Sequence, residues 1–304
     1  MADFAPTPGS RAGHAIKAIL NLLPLFTSLV KGLVPKSGGG TTNFLRADGT
    51  WAAPAGSGLT VLRSYLAGLG LSMASNTVVG IAAGVAADSA NAVMMTLSAF
   101  QKSTAGAWTS GSGNNGMGNG LTIANSTWYH VILANNGGTP DVYLDTSATG
   151  ANIPTGITDT KVRRIGSFLT DGSAHIIAFS QNGDEFLWNV PVGDVNVTNL
   201  GTAATSYTLS VPLGVVVNAI GNLKASQALA GNVMLASSLA VASQAADTPT
   251  GNEQVSIVTA AQPASSTFNI RTNTSSQIRA IASGANTTLQ VATWGWIDRR
   301  GRDA

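Results

Sequence analysis

Glutamate occurs only twice in this chain, at Glu185 and Glu253, and lysine only six times in 304 residues. Surface helices are normally clothed in Glu, Lys and Gln, which keep most of their rotamer freedom there. A chain without them has little with which to cover a helical exterior, so its exposed faces are expected to be strands and turns. Asn, Ser, Thr, Gly and Ala supply the polar surface instead. The expected body is mainly β.

Composition narrows the function classes. Hydrophobic residues make up 44% of the chain, too many for a disordered polypeptide. Charged residues make up 10%, against about a quarter in ordinary domains. The absence of Cys excludes disulfide scaffolds, thiolate-bound zinc, iron–sulfur clusters and thiol nucleophiles. A net charge of +2 argues against a nucleic-acid partner, which would call for a clear basic excess.

Residues 1–36 stand apart. A Pro-containing tail leads into an apolar stretch in which Ile16, Ile19, Leu23, Phe26, Val30 and Leu33 follow the 3-4 spacing of a coiled-coil seam. Isoleucine at both seam positions of the first heptad favours three strands over two. Pro24 removes a donor in mid-pattern, and the seam runs for under three heptads. The longest uncharged run, Ala18 to Val30, has 13 residues, short of the roughly 20 a membrane span needs. A signal peptide would share the basic start and short apolar core, but no cleavage site follows. The stretch is therefore expected to be a short helix buried in a protein partner or in its own symmetry mates.

Residues 37–58 form a Gly-rich linker around the segment TTNFLRADGTWAAP. Asp48-Gly49 signals a tight turn between Phe44 and Trp51, and two aromatics in so small a unit are expected to dock on something. From Leu59 onward, short strand patterns are punctuated by Gly, Asn, Asp and Pro. Examples are Val78–Ala83, Val93–Phe100, Trp128–Leu133, Lys161–Leu169, Val215–Ile220, Val233–Val241 and Thr288–Ile297. The expected architecture is an N-terminal helix followed by a β-sandwich or jelly roll. It is either one body or two subdomains, 59–190 and 191–304, meeting near Pro191.

Candidate chemistry is sparse. His130 lies in the strand pattern TWYHVIL, and a metal site would need it to meet His175 and a carboxylate across strands. A structural histidine at the core border is the simpler reading. Asp141, Asp145, Asp171, Asp184 and Glu185 are the carboxylates a sugar-cleaving enzyme could use. Nothing in their spacing selects a pair, and Asp171 and Asp184 read as turn caps. The loop Gly111 to Gly120 lacks the Lys-Ser/Thr of a phosphate loop. It reads as a polar surface loop, with Trp108, Asn114 and Asn115 beside it and Asn135 and Asn136 in a second loop as candidate surface-binding residues. Arg163-Arg164 places two guanidinium groups on opposite faces of one strand, so either one faces inward, in a buried ion pair, or the strand lies at a sheet edge, and the buried ion pair is the expectation. Trp294 and Trp296 are expected on one face of the last strand, and the C-terminal end, Asp298 to Asp303 with charges of both signs, is expected to be docked.

The segment Asn43 to Trp51, NFLRADGTW, resembles the FLRGDGTW element of tail-fibre and related virion proteins of tailed bacteriophages, with Ala47 where Gly is usual. The phrases TWYHVIL (Thr127–Leu133), KVRRIGSFLTDGS (Lys161–Ser173), FSQNGDEFLW (Phe179–Trp188) and GWIDRRGRDA (Gly295–Ala304) are similar to a domain found in many phage structural proteins. The resemblance implies a virion-located fibre or spike, usually homotrimeric, anchored to other virion proteins by its N-terminus and carrying a distal β module. No catalytic residues carry over from it, and no enzyme, cofactor, metal site or membrane span is expected of the chain. Host-surface glycan attachment is the expected role. An architectural head-fibre, collar or decoration protein is the first alternative, and a glycan depolymerase the second.

Overall fold

The computed structural model describes residues 43–47, 49–52, 61–228, 232–246, 253–257 (backbone only) and 262–302. The expected N-terminal helix, with Ile16, Ile19, Leu23, Phe26, Val30 and Leu33, lies outside the described residues. The chain divides into two units, Met1–Thr60 and Val61–Ala304. It is mainly β, and the described residues contain no helix.

In the first unit, β1 (Phe44–Leu45) pairs antiparallel with β2 (Trp51–Ala52), Leu45 facing Trp51. The Arg46 amide donates to the Thr50 carbonyl at 2.7 Å and the Gly49 amide to the Arg46 carbonyl at 2.9 Å. The turn anticipated around Gly49 is thus formed, and Phe44 stands 60% exposed.

The second unit begins with β3 (Leu66–Gly68), β4 (Leu71–Ser75), β5 (Val78–Ile81), β6 (Gly84–Ala87), β7 (Met94–Leu97) and β8 (Phe100–Ala107). Then come β9 (Asn115–Met117), β10 (Trp128–Asn136), β11 (Thr139–Asp145), β12 (Val162–Leu169) and β13 (Phe179–Asn182). The long β14 (Glu185–Val197) is followed by β15 (Thr205–Thr208), β16 (Asn218–Ser226), β17 (Asn232–Ser237) and β18 (Glu253–Ile257). β19 (Ala264–Arg271), β20 (Gln277–Ala282) and β21 (Thr288–Ile297) complete the unit. They form a seven-stranded sheet in the order β12-β10-β11-β9-β8-β5-β4 and a three-stranded sheet β3-β6-β7. A five-stranded sheet, β13-β14-β21-β16-β19, and a four-stranded sheet, β15-β20-β17-β18, follow.

One continuous set of buried apolar side chains runs through all four sheets. Its aromatic centre is Trp296 on β21, stacked on Phe186 at 5.0 Å and 7° and packed against Trp188 at 5.0 Å, both on β14. Trp128 of the seven-stranded sheet meets the same ring edge-on at 5.5 Å. Large aromatic groups contribute well beyond their area when offset or edge-on, so this cluster welds the five-stranded sheet to the seven-stranded one. The boundary expected near Pro191 instead falls inside β14. Proline has no amide to give a ladder, and pairing between β14 and β21 skips from Leu187 to Val192 while the strand continues.

Three other expectations are corrected. The Val93–Phe100 pattern is two strands, β7 and β8, broken at Ser98-Ala99. The Val215–Ile220 and Val233–Val241 patterns overrun their strands on one side, since β16 starts at Asn218 and β17 stops at Ser237. Trp294 and Trp296 do not share a face. Trp294 pairs with neither neighbour of β21, so the strand bulges there, its alternation flips, and Trp296 is buried while Trp294 is exposed.

The bulge depends on Gly295. A methyl group there would run into the Phe186 carbonyl on the adjacent strand, so the backbones approach this closely only because Gly has no Cβ. Gly193, by contrast, has open space around the same position. Gly295→Ala should lower unfolding free energy in urea by about 1–3 kcal/mol, while Gly193→Ala should stay within about 0.5 kcal/mol of the parent.

Candidate functional site

The two polar loops singled out in the sequence converge on one end of the seven-stranded sheet. β10 and β11 form a hairpin whose two-residue turn, Gly137-Gly138, has φ of +58° and +91°. Positive φ at both positions is the requirement of the tight turn that matches strand twist. Asp141 sits at the start of β11 opposite Ala134. Its Oδ2 accepts from the Gly111 amide at 2.7 Å and from Ser110 Oγ at 3.2 Å, which draws the 109–114 loop against the hairpin.

Behind this contact lies a fully buried lysine. Lys102 Nζ is 3.0 Å from Asp141 Oδ1 and donates to the carbonyls of Thr109 at 2.6 Å and Gly111 at 3.0 Å. It also sits over the rings of Phe100 and Trp108, at 5.5 and 5.1 Å. Burial pushes its pKa down, partly countered by the hydrogen bond and charge of Asp141. The ion pair is a staple for the loop, because each charge would be costly there without the other.

The candidate binding residues are largely tied into this framework. The Trp108 indole N–H donates to the Val142 carbonyl at 3.0 Å, and its ring packs with Ile132, Ala134, Tyr143 and Ile157. Asn114 Nδ2 donates to the Ser110 carbonyl at 2.6 Å, and Asn135 Nδ2 to Asp159 Oδ2 at 2.7 Å. Asn115 is half-buried in β9, and Asn136 closes the hairpin opposite Thr139. What the end offers to solvent is the exposed run Ser112, Gly113 and Asn114 together with Gly137, Gly138 and Thr139.

Two of the carboxylates weighed for sugar chemistry, Asp145 and Asp171, serve the backbone. Asp145 accepts from the amides of Ser147 and Asn152 at 2.8 Å each and from Asn152 Nδ2 at 2.7 Å. Asp171 accepts from the amides of Ser173 and His175, the turn cap its DG context signals, and those bonds hold its carboxyl below the usual range. Asp184, expected to be a turn cap, instead turns its carboxylate to the side chains of Arg302 and Arg300. Among the described residues no three His, Cys, Asp or Glu side chains come together as a metal site would require.

His130 is buried. Its Nδ1 is 2.8 Å from Ser167 Oγ, which also accepts from Arg164 Nη1 at 3.1 Å. With the ring proton on Nε2, the side of the Leu213 backbone, the Ser167 hydroxyl donates to Nδ1. Arg164 in turn grips Asp298 with both nitrogens at 2.7 Å, the buried ion pair expected of one member of the Arg163-Arg164 doublet. Burial alone would raise the Asp298 pKa, but the Arg164 guanidinium outweighs it and holds the carboxyl below its usual range. Arg163, on the other face, is buried as well. Sequence spacing could show that one arginine needed a partner, but not that the partner lay 134 residues away.

No protein-family model matches the chain, and no curated protein matches it. No helix among the described residues is long and apolar enough to cross a membrane.

Two outcomes test these assignments. Lys102→Met leaves Asp141 buried and unpaired and should cost about 3–5 kcal/mol in chemical denaturation, part of which the Lys102→Met/Asp141→Asn double variant should recover. The His130 pKa is pushed from 6.5 down to about 4, first by burial and then by the Arg164 guanidinium. The unfolded chain therefore binds the proton more readily, and this contribution to stability is full above pH about 6.5 and is lost as the pH falls towards 4. The loss should reach about 3 kcal/mol, and melts from pH 7 to 4 should show it in the parent relative to His130→Asn.

Proposed function

We propose that this chain is a structural fibre or spike protein of a tailed-phage virion, joined to the particle through residues 1–36 and using its β body for attachment to the host surface. The observation that carries the reading is the hairpin of residues 44–52. The FLRADGTW segment, whose likeness to virion fibre proteins rests on sequence, forms a closed two-stranded unit that leaves Phe44 and Leu45 exposed. Apolar groups so displayed on so small a unit are a contact surface in search of a neighbour. The β body is read as a β-sandwich without a catalytic role.

Homotrimer formation fits the same features. Strands β12 and β15 end two of the sheets in a chain with only 10% charged residues, and charge is one of the main devices that keep sheet edges apart. Symmetric subunit packing would cover such edges. Repeated display would also let a weak glycan contact gain avidity, by about 10²–10⁴ where geometry permits.

A second reading, an architectural head-fibre, collar or decoration protein, is favoured by one observation. Trp108, Asn114 and Asn135 are already engaged within the fold, which leaves the polar end fewer free groups for a sugar. Binding of the full chain to a glycan array separates the two readings, since the architectural one predicts none. Removal of residues 1–36 should abolish incorporation into particles and convert a sedimenting trimer to a monomer, with the β circular-dichroism signal retained. Unchanged incorporation and subunit number would sink the anchoring role.

A further inference from the structure

Where the end of β12 meets the segment following β21, two adjoining cavities of about 260 and 530 Å³ share Arg164, Val215, Arg300 and Gly301 in their walls. The smaller is bounded by Ser64, Ser89 and Arg163, the larger by Asn218, Arg271 and Arg299. The larger lies within the range of about 300–1,000 Å³ typical of small-ligand sites. Five arginines thus line one continuous cleft, and Asp298 is the single carboxylate in its walls.

Carboxylates offset the charge there only in part. Asp298 is held by both nitrogens of Arg164. Arg300 has Asp184 at 3.6 Å, but that carboxylate also serves Arg302. Arg163 is only 3% exposed, and its guanidinium meets carbonyls alone, of Arg300 at 2.9 Å, Ala87 at 3.3 Å and Ser64 at 3.4 Å. Those carbonyls satisfy its N–H groups without pairing its charge, and the carboxylate of the buried Asp88 offsets that charge only at a distance, with no hydrogen bond between the two. Burial first, and then the positive charges of Arg164, Arg300 and Arg302, lower its pKa, and the Asp88 carboxylate counters only part of this. At the mouth, the exposed Arg271 side chain makes no hydrogen bond or ion pair with the described residues, although it borders the cavity.

A purely structural knot would need donors for three carbonyls, not an excess of positive charge beside an open cleft. Guanidinium groups match the two oxygens of a carboxylate or phosphate in a planar fork. Buried cations behind them strengthen the field, because low-dielectric walls screen it poorly.

We propose that this cleft binds an oxyanion, the carboxylate or phosphate of an acidic host-surface saccharide, with Arg271 and Arg299 at the mouth and Arg163, Arg164 and Arg300 supplying positive potential behind. The saccharide part rests on the host-attachment reading above, while the anion site does not.

Calorimetric titration of the full chain with glucuronate, glucose 6-phosphate and uncharged glucose tests it. At least one of the two anions should bind, with glucose at least about tenfold weaker. Raising salt from about 50 to about 500 mM should weaken binding several-fold, as the Debye length shrinks. Arg271→Glu should weaken it by about tenfold or more at an unchanged melting temperature. Which anion binds distinguishes uronate from phosphate recognition. The site is overturned if neither anion binds, if glucose binds equally well, or if Arg271→Glu leaves affinity unaltered. Should the anion bind with all these properties while Arg271→Glu particles still adsorb to cells normally, the site stands and the attachment reading fails.

Discussion

The residues that follow β21 hold the body together. Asp298 reaches Arg164 on β12, the Arg300 carbonyl receives Arg163, and Arg300 Nη1 donates to the carbonyls of Gly68 and Leu69, 232 and 231 positions earlier. β21 itself is central in its sheet, flanked by β14 and β16. The last described stretch of chain therefore closes contacts with the first strands of the same unit. A buried ion pair contributes little net stability over an apolar pair, but a misdocked C-terminal segment would leave Arg164 or Asp298 buried alone, at about 3–5 kcal/mol. That penalty selects one docking out of many. It also makes folding depend on contacts of long sequence separation, which form late because loop-closure entropy precedes their reward.

The distribution of charge follows from the same economy. Few residues are charged, and many of those few are inside: Lys102, Asp141, Asp145, Arg163, Arg164, Asp298 and Arg300 are all buried. Some are neutralised in pairs, as Lys102 is by Asp141 and Arg164 by Asp298. Arg163 has no such ion pair, only the more distant charge of Asp88, and the cleft it lines keeps a positive excess. Low surface charge and concentrated internal charge are two sides of one arrangement. The outer faces suit association with other protein surfaces, while the cleft suits a small anion.

Much of the local architecture was legible because it is governed by near neighbours. Gly137-Gly138 could only be a turn between two apolar runs, and Asp171 beside Gly172 could be seen to cap its own backbone. The paired arginines on one strand announced that at least one needed a partner inside. Strand boundaries at Asn218 and Ser237 were less legible, since Val215, Val216 and Val241 look like strand residues and are placed by what surrounds them. The bulge at Trp294 was invisible for the same reason. It arises from how β14 and β16 pair with β21, and it reverses the face of every residue beyond it.

The amino-acid sequence by itself determined a mainly β chain, through the near absence of glutamate and lysine. It also determined the turns, through glycine at positions where a side chain would clash or strain. Only the tertiary structure decided that Asp298 meets Arg164, that Trp296 rather than Trp294 enters the core, and that five arginines border one cleft. Those arginines come from positions 163 to 300 on β12, β19 and the segment after β21. No local pattern reports their meeting, because side-chain periodicity encodes which face of an element is buried and carries no information about which distant element covers it.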